Sequence, residues 1–360
     1  MPFPILQFGT SRFLQAHVDM FVDQGFVEGA GAGKIAVVQT TSSSDSARRL
    51  AFFDTGAPYV VRVRGLESET LIDEEVRVAS IGRGLDANRQ WADVERLFVE
   101  DARWIISNTG DRGYELDPAD ASDVGVPRAF PAKLAKLLHA RFRAGAAPLT
   151  MFPCELIEGN GGKLRDLVLA ISREWRLGDD FVRWVGEDCL WINSLVDRIV
   201  SEPLEPAGAV AEPYALWAVE KKSGLVMPCV HPAIVVTDDL KRYERFKLFI
   251  LNLGHTWLAE NWAATSGRAE ATTREWLADA AIRADLEDLY EREVQPVFDP
   301  LGLGAKARDY RESVMARFRN PFLDHYLADI HRNHEAKKQR RFGGLIDLGR
   351  DELAARIDWS

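Results

Sequence analysis

The sequence predicts an α/β chain: an N-terminal parallel-sheet domain covered by helices on both faces, followed by an all-helical C-terminal domain. Three observations predict it. Short, wholly apolar runs alternate with helix-period segments through the first half, the pattern of strands buried on both faces. Beyond about residue 238 those runs stop, and long helical patterns divided by prolines take over. The length of 360 residues accommodates two domains of ordinary size.

The elements follow in order. Pro4–Phe8 is short and apolar and runs into Gly9, which predicts a first strand closed by a turn. Ser11–Gln24 has helical spacing, with Phe13, His17, Met20 and Phe21 toward one side. Ile35–Gln39 is a second apolar run, and Ser46–Phe53 has helical character. Trp104–Ile106, ending at Ser107-Asn108-Thr109-Gly110, and Leu149–Phe152, ending at Pro153-Cys154, predict two further buried strands. Asp239–Ala263 reads as one long apolar helix. Glu270–Phe298, Lys306–Phe318 and Asn320–Gln339 read as three more, separated by Pro296, Pro300-Leu301-Gly302 and Pro321. The expected division is residues 1–238 for the sheet domain and 239–360 for the helical domain.

Composition narrows the function classes. With 46% hydrophobic and 28% charged residues the chain is a folded globular protein rather than a disordered one. No window approaches the roughly 18 apolar residues of a membrane span. The opening Met1-Pro2-Phe3-Pro4 lacks the basic start and apolar run of a signal peptide. Three widely spaced cysteines, Cys154, Cys189 and Cys229, fit a reducing cytoplasm better than a disulfide framework. A net charge of −10 is not that of a duplex-binding protein. The one dense basic stretch, Lys337-Lys338-Gln339-Arg340-Arg341, is expected to be a solvated helix face. The expectation is a cytoplasmic protein, monomeric or a small homo-oligomer, that handles a small molecule rather than nucleic acid or membrane.

Parallel sheets bind ligands at the carboxyl ends of their strands. The first strand ends Gly9-Thr10-Ser11-Arg12-Phe13-Leu14. A dinucleotide fingerprint places glycines at positions 9, 11 and 14, and only Gly9 is present. Gly9 permits the tight turn, and Ser11 offers a hydroxyl. The second strand ends Gln39-Thr40-Thr41, without the acid that usually binds ribose. Arg48 and Arg49 follow on the next helix. These strand ends are where a Rossmann-type domain would hold a nicotinamide dinucleotide, NAD with NADP not excluded. Its candidate contacts are Gly9, Thr10, Ser11 and Phe13 in the first loop, Thr40 after the second strand, Ser107 and Asn108 after the third, and Glu155 after the fourth.

The most informative segment runs from Tyr243 to Thr256. Lys247, Asn252 and His255 stand at i, i+5 and i+8 among Phe246, Leu248, Phe249, Ile250, Leu251, Leu253 and Trp257. At about 100° per residue they fall at roughly 0°, 140° and 80° on one side of the helix, across about 12 Å of its axis. Burying such groups in apolar surroundings is costly unless they are paired or used. The trio suits alcohol oxidation. A desolvated lysine serves as base for the hydroxyl proton, an asparagine amide stabilises the developing oxyanion, and a histidine orients a neighbouring hydroxyl.

These segments resemble the polyol-specific long-chain dehydrogenases, the mannitol dehydrogenase group, and most nearly its hexuronate reductases. The resemblance rests on five blocks in order: Gln7-Phe8-Gly9-Thr10-Ser11-Arg12-Phe13-Leu14-Gln15-Ala16-His17, Pro153-Cys154-Glu155-Leu156-Ile157-Glu158-Gly159-Asn160-Gly161, Ile192-Asn193-Ser194-Leu195-Val196-Asp197-Arg198-Ile199, Lys247 with Asn252 and His255, and Arg317-Phe318-Arg319-Asn320-Pro321. It implies Lys247 as general base, Asn193 and Asn252 as the oxyanion hole, His255 as a substrate ligand, and Arg317 against the substrate's oxygens, where a guanidinium clamps a carboxylate. It implies no metal.

Two other readings are open to the residues. Tyr243 and Lys247, four apart, satisfy the tyrosine–lysine pair of short-chain dehydrogenases. A decayed, non-catalytic nucleotide-binding regulator would account for the reduced glycine loop. A zinc enzyme needs convergent thiolate and imidazole ligands; the cysteines are isolated, and the one close histidine pair, His331 and His334, is expected to be exposed.

Overall fold

The computed structural model describes residues 2–26, 34–67, 70–110, 112–265 and 267–357. Thirteen strands occur among them. In chain order they are β1 (Ile5–Phe8), β2 (Ile35–Gln39), β3 (Tyr59–Glu67), β4 (Thr70–Val78), β5 (Ile81–Asp86), β6 (Trp104–Ser107) and β7 (Thr150–Pro153). There follow β8 (Leu190–Trp191), β9 (Ser194–Asp197), β10 (Val200–Pro203), β11 (Gly208–Ala211), β12 (Leu216–Glu220) and β13 (Ile234–Thr237).

The main sheet has the order β5-β2-β1-β6-β7-β8 and is parallel throughout. Counted within the sheet this is 3-2-1-4-5-6, the doubly wound dinucleotide-binding order, whose direction reverses between β1 and β6. Every residue of β1, β2 and β6 is buried, as their unbroken apolar runs require of strands covered on both faces. The core around them joins Phe8, Val38, Phe98, Phe130, Leu138 and Met151. The expected α/β class and four of the expected strands are borne out. Two smaller sheets, β10-β11-β3-β4 and β13-β12-β9, stood out less in the sequence; β3, β4 and β10 carry many half-buried or exposed positions.

The chain forms two compact units, neither a single run. One comprises Met1–Arg62, Glu75–Ala211 and Ala215–Leu240; the other comprises Val63–Glu74, Glu212–Tyr214 and Lys241–Ser360. The second is mostly helical around Phe249, Leu253, Trp257, Leu286, Tyr290 and Phe318, yet it also holds strand residues 63–67 and 70–74, which lie outside the all-helical segment.

Several helices depart from the sequence expectation. The expected helix Ser11–Gln24 is split into Arg12–Gln15 and Val18–Gly25. His17 breaks it at φ −135°, ψ −99°; its Nε2 lies 2.9 Å from the Leu216 carbonyl, and its ring stacks on Phe13. The expected helix Glu270–Phe298 breaks at Asp279, whose carboxylate accepts the N–H groups of Ala281 and Ile282 and starts a new helix. Thr272 and Glu275 form a reciprocal capping box at the segment's true start. Asn320–Gln339 yields only Leu327–His331 and His334–Lys338, parted by Asn333 at φ 56°.

Candidate active site

The candidate catalytic segment is not the uniform α-helix that its spacing predicts. Leu240–Phe246 and Leu253–Thr265 are α-helical, but Lys247–Asn252 between them is a π turn. The Leu253 N–H reaches back to the Leu248 carbonyl, a π-type i→i+5 bond. The wheel angles calculated for a regular helix are thereby corrected. In an α-helix, residues five apart diverge; in a π turn, i and i+5 take the neighbour relation that i and i+4 have in an α-helix. Lys247 and Asn252 thus come onto one face.

Lys247 and Asn252 are half-buried and His255 is buried. The Asn252 carboxamide makes no hydrogen bond among the described residues. The His255 ring packs 4.5 Å from Phe318 and 4.6 Å from His325, and its Nε2 has no partner among the described residues. Burial pushes the His255 imidazole well below its usual range, and His325, Arg317, Arg341 and Lys337 add to the effect. At neutral pH it is a neutral ring with a nitrogen to offer. His325 is pushed down to about 4, chiefly by burial. Sequence reasoning missed His325; its signal was a single histidine soon after the Arg317-to-Pro321 block.

Arg317 is buried, and its Nε and Nη2 donate to the two carboxylate oxygens of Glu212 at 2.9 and 2.8 Å. The guanidinium carbon lies 4.3 Å from the centre of the Tyr214 ring. The residue expected to clamp a substrate carboxylate therefore already holds an internal one.

In the other unit, Gly9 ends β1 at φ 115°, and a Cβ there would overlap the Asn108 carbonyl oxygen. Only glycine lets the first loop approach the end of β6 in this way. The Thr10 carbonyl accepts from Arg49 Nε at 3.0 Å. Arg48 instead pairs with Asp45. Ser11 is the N-cap of the short helix, its Oγ accepting the Leu14 N–H. Phe13 and Thr40 are half-buried. Beyond β2, Gln39 donates to the Thr41 and Ser43 carbonyls, and its buried Oε1 has no partner among the described residues.

Glu155 is 3% exposed. Its carboxylate accepts from Ser107 Oγ, from the Thr109 N–H and from Thr109 Oγ1, each at 3.0 Å. Asn108 donates to the Cys154 carbonyl at 2.8 Å. Burial raises the Glu155 carboxyl above its usual range, opposed by those donors. Glu155 thus braces the loop after β6. Asn193, just before β9, donates Nδ2 to Glu220 at 2.8 Å and accepts the Gly162 N–H at 2.9 Å. A carboxamide has two N–H bonds, so one is left over. Asn160, unremarked in the sequence beyond its motif, donates to the Pro153, Glu155 and Ser194 carbonyls and ties the segment after β7 to the start of β9.

Two surface expectations are corrected. The basic stretch 337–341 is solvated only in part: Gln339 and Arg340 are exposed, but Lys338 is buried against Glu260 and Glu335, and Arg341 donates to the Asn252 carbonyl. His334 is buried and pairs with Glu260. Lys338, Arg341 and His334 face the helix Leu253–Thr265, not water.

Family models match nearly the whole chain: the mannitol dehydrogenase Rossmann domain over residues 4–227 and the mannitol dehydrogenase C-terminal domain over 239–359. The chain belongs to the mannitol dehydrogenase family. Among curated relatives, the altronate oxidoreductase of Bacillus subtilis (strain 168) is 32% identical over 94% of this chain and 74% of the relative. That of Yersinia pestis is 32% identical with the same coverage. Among solved structures, a substrate-free D-sorbitol dehydrogenase superposes with a TM-score of 0.80 over 95% of this chain and 75% of that one, at 20% identity. The Pseudomonas fluorescens mannitol 2-dehydrogenase, a ternary complex with NAD and D-mannitol, superposes at 0.73 over 95% and 74%, also at 20% identity. The mannitol dehydrogenase assignment makes the chain a polyol or sugar-acid oxidoreductase, and it favours neither the short-chain nor the regulatory alternative. Among the described residues no helix is long and apolar enough to cross a membrane.

Proposed function

We propose that the enzyme catalyses reversible hydride transfer between a nicotinamide and a secondary alcohol or ketone of a sugar acid, with Lys247 as the proton-transfer group. The observation that supports this reading is the π turn over Lys247–Asn252, in which residues five apart are neighbours, together with an Asn252 carboxamide that has no partner among the described residues. His255 extends the same polar seam as a neutral imidazole with an unpartnered nitrogen.

Lys247 takes the hydroxyl proton in oxidation and returns it in reduction. The Asn252 amide donates to the substrate oxygen as negative charge develops there. His255 fixes an adjacent hydroxyl. Asn193 is assigned an amide-donor role, its carboxamide oriented by Glu220 and by the Gly162 N–H. Arg317 is assigned to the substrate's oxygens, and its pairing with Glu212 sets the plane of its guanidinium.

NAD fits the residues present. The strand order reverses between the parallel neighbours β1 and β6, Gly9 has the backbone that only glycine tolerates there, and the unpartnered Gln39 Oε1 offers a neutral acceptor where an acid usually binds ribose. When bound, the nicotinamide accepts or supplies the hydride. The altronate oxidoreductase relatives point to a sugar acid. The enzyme works in the cytoplasm on a small molecule, as a monomer or small homo-oligomer.

The test is an NAD- and NADP-linked screen of altronate, related aldonates and neutral polyols, with the corresponding ketones in reverse and Lys247→Ala alongside. Turnover of an aldonate that falls at least a thousandfold in the variant is expected, on the scale of losing a general base and its charge. Near-normal turnover by Lys247→Ala, or a preference for neutral polyols, would overturn the corresponding part of the proposal.

A further inference from the structure

A π turn strains and misaligns the carbonyl ladder of its helix, and it persists where something outside the helix compensates. Two side chains do so here, and both come from distant segments. Tyr290 donates its hydroxyl to the Ile250 carbonyl at 2.7 Å, within the turn. Arg341 donates from one nitrogen, Nη1, to the Asn252 carbonyl at 3.0 Å and to Thr256 Oγ1 at 2.5 Å, at the turn's end.

The surroundings are fitted to these contacts. A Cβ at Gly254 would overlap the Tyr290 hydroxyl and lie 2.9 Å from Phe318 Cε2, so glycine is what admits Tyr290 to the helix backbone. Tyr290 is fully buried, and burial raises its phenol so that it stays a donor. Arg341 is pushed down to about 10 by burial and Arg340, and so is still charged at neutral pH. Both residues sit in π turns of their own: Tyr290 opens Tyr290–Val294, and Arg341 lies within Gln339–Gly343. A Cβ on Gly344, next in the chain, would lie 3.1 Å from the Phe249 ring. Three irregular turns thus meet at the segment that carries the general base.

We propose that Tyr290 and Arg341 are positioning residues: they lock the Lys247–Asn252 π turn and thereby hold the base and the amide donor in one line. Without the lock the turn relaxes toward an α-helix. The residues after it then rotate relative to Lys247 by about the 100° of one residue, and Asn252 leaves the base's face. The proposal rests on Lys247 and Asn252 acting as assigned above.

The test compares wild type, Tyr290→Phe, Arg341→Met, Arg341→Lys and Lys247→Ala with altronate and NAD, together with thermal melting and peptide-level hydrogen exchange over 247–256. Tyr290→Phe and Arg341→Met are expected to lose roughly ten- to a hundredfold in kcat, the effect of misplacing a reacting group by about 1 Å. KM for NAD should change less than about twofold, a split that general unfolding does not produce. Arg341→Lys should recover most of kcat, because one nitrogen makes both bonds. Exchange over 247–256 should quicken in Tyr290→Phe and Arg341→Met, and it reads the lock even without turnover of altronate. If both variants keep kcat within about twofold of wild type while Lys247→Ala is inactive, the lock is refuted and the base assignment stands. Near-normal turnover by Lys247→Ala overturns both. Unchanged exchange in both variants refutes the lock on its own.

Discussion

Replacing Glu212 by glutamine tests the energetics of the Arg317 pair. The two side chains are 2% and 1% exposed and share two short charge-assisted hydrogen bonds, with Tyr214 stacked on the guanidinium. Removing one member of a buried pair leaves the other charge desolvated with poorer compensation, a cost of about 3–5 kcal/mol. Replacing both partners by apolar groups of similar volume costs far less, because the desolvation penalty disappears with the charges. Urea unfolding at pH 7 is therefore expected to show Glu212→Gln less stable by about 3–5 kcal/mol, and Arg317→Met/Glu212→Leu less stable by under about 2 kcal/mol. Adding the singles Arg317→Met and Glu212→Leu closes the cycle, and the coupling energy is the change in the double less the sum of the changes in those two singles. A loss below about 1 kcal/mol in Glu212→Gln would refute the reasoning, because the pair would then be no stronger than a surface ion pair.

Two further outcomes are expected. Gly9→Ala should weaken NADH binding at least tenfold in a fluorescence titration, since its Cβ overlaps the Asn108 carbonyl and its φ of 115° is strained for any other residue; unchanged affinity would remove the loop after β1 from the cofactor site. For His325 the folded pKa of about 4 lies below the unfolded value near 6.5. Between those values the unfolded chain binds the extra proton, so this contribution is complete above about pH 6.5 and is lost as the pH falls toward 4. Stability should decline by up to about 1.4 kcal/mol per pH unit in that window, and His325→Gln should flatten the decline; an identical slope in the variant would count against a desolvated His325.

How much could be read in advance differs from element to element. The apolar runs at 5–8, 35–39, 104–107 and 150–153 announced a buried parallel sheet because a strand covered on both faces leaves no room for polar alternation. The breaks at His17 and Asp279 were not legible as breaks. His17 leaves the helix for a carbonyl 199 residues away, and Asp279 acts through a cap that helix periodicity does not reveal. In the site, a lysine, an amide and an imidazole amid large apolar residues marked Lys247, Asn252 and His255, because burying three polar groups on one helix demands a reason.

The sequence by itself determined the α/β class, the polar seam and, through ordered motif blocks, the family. Those are properties of local pattern and of residue identity. Only the tertiary structure decided how the seam is aligned. The π turn depends on a hydroxyl 40 residues away and a guanidinium 89 residues away, and the Arg317 guanidinium is held by a carboxylate 105 residues away. It also decided that Glu155 braces a loop and that residues 63–67 and 70–74 belong with the helical unit. Each of these turns on which distant group satisfies a buried donor or acceptor. Sequence spacing carries no record of that pairing, because the partners meet only once the chain has packed.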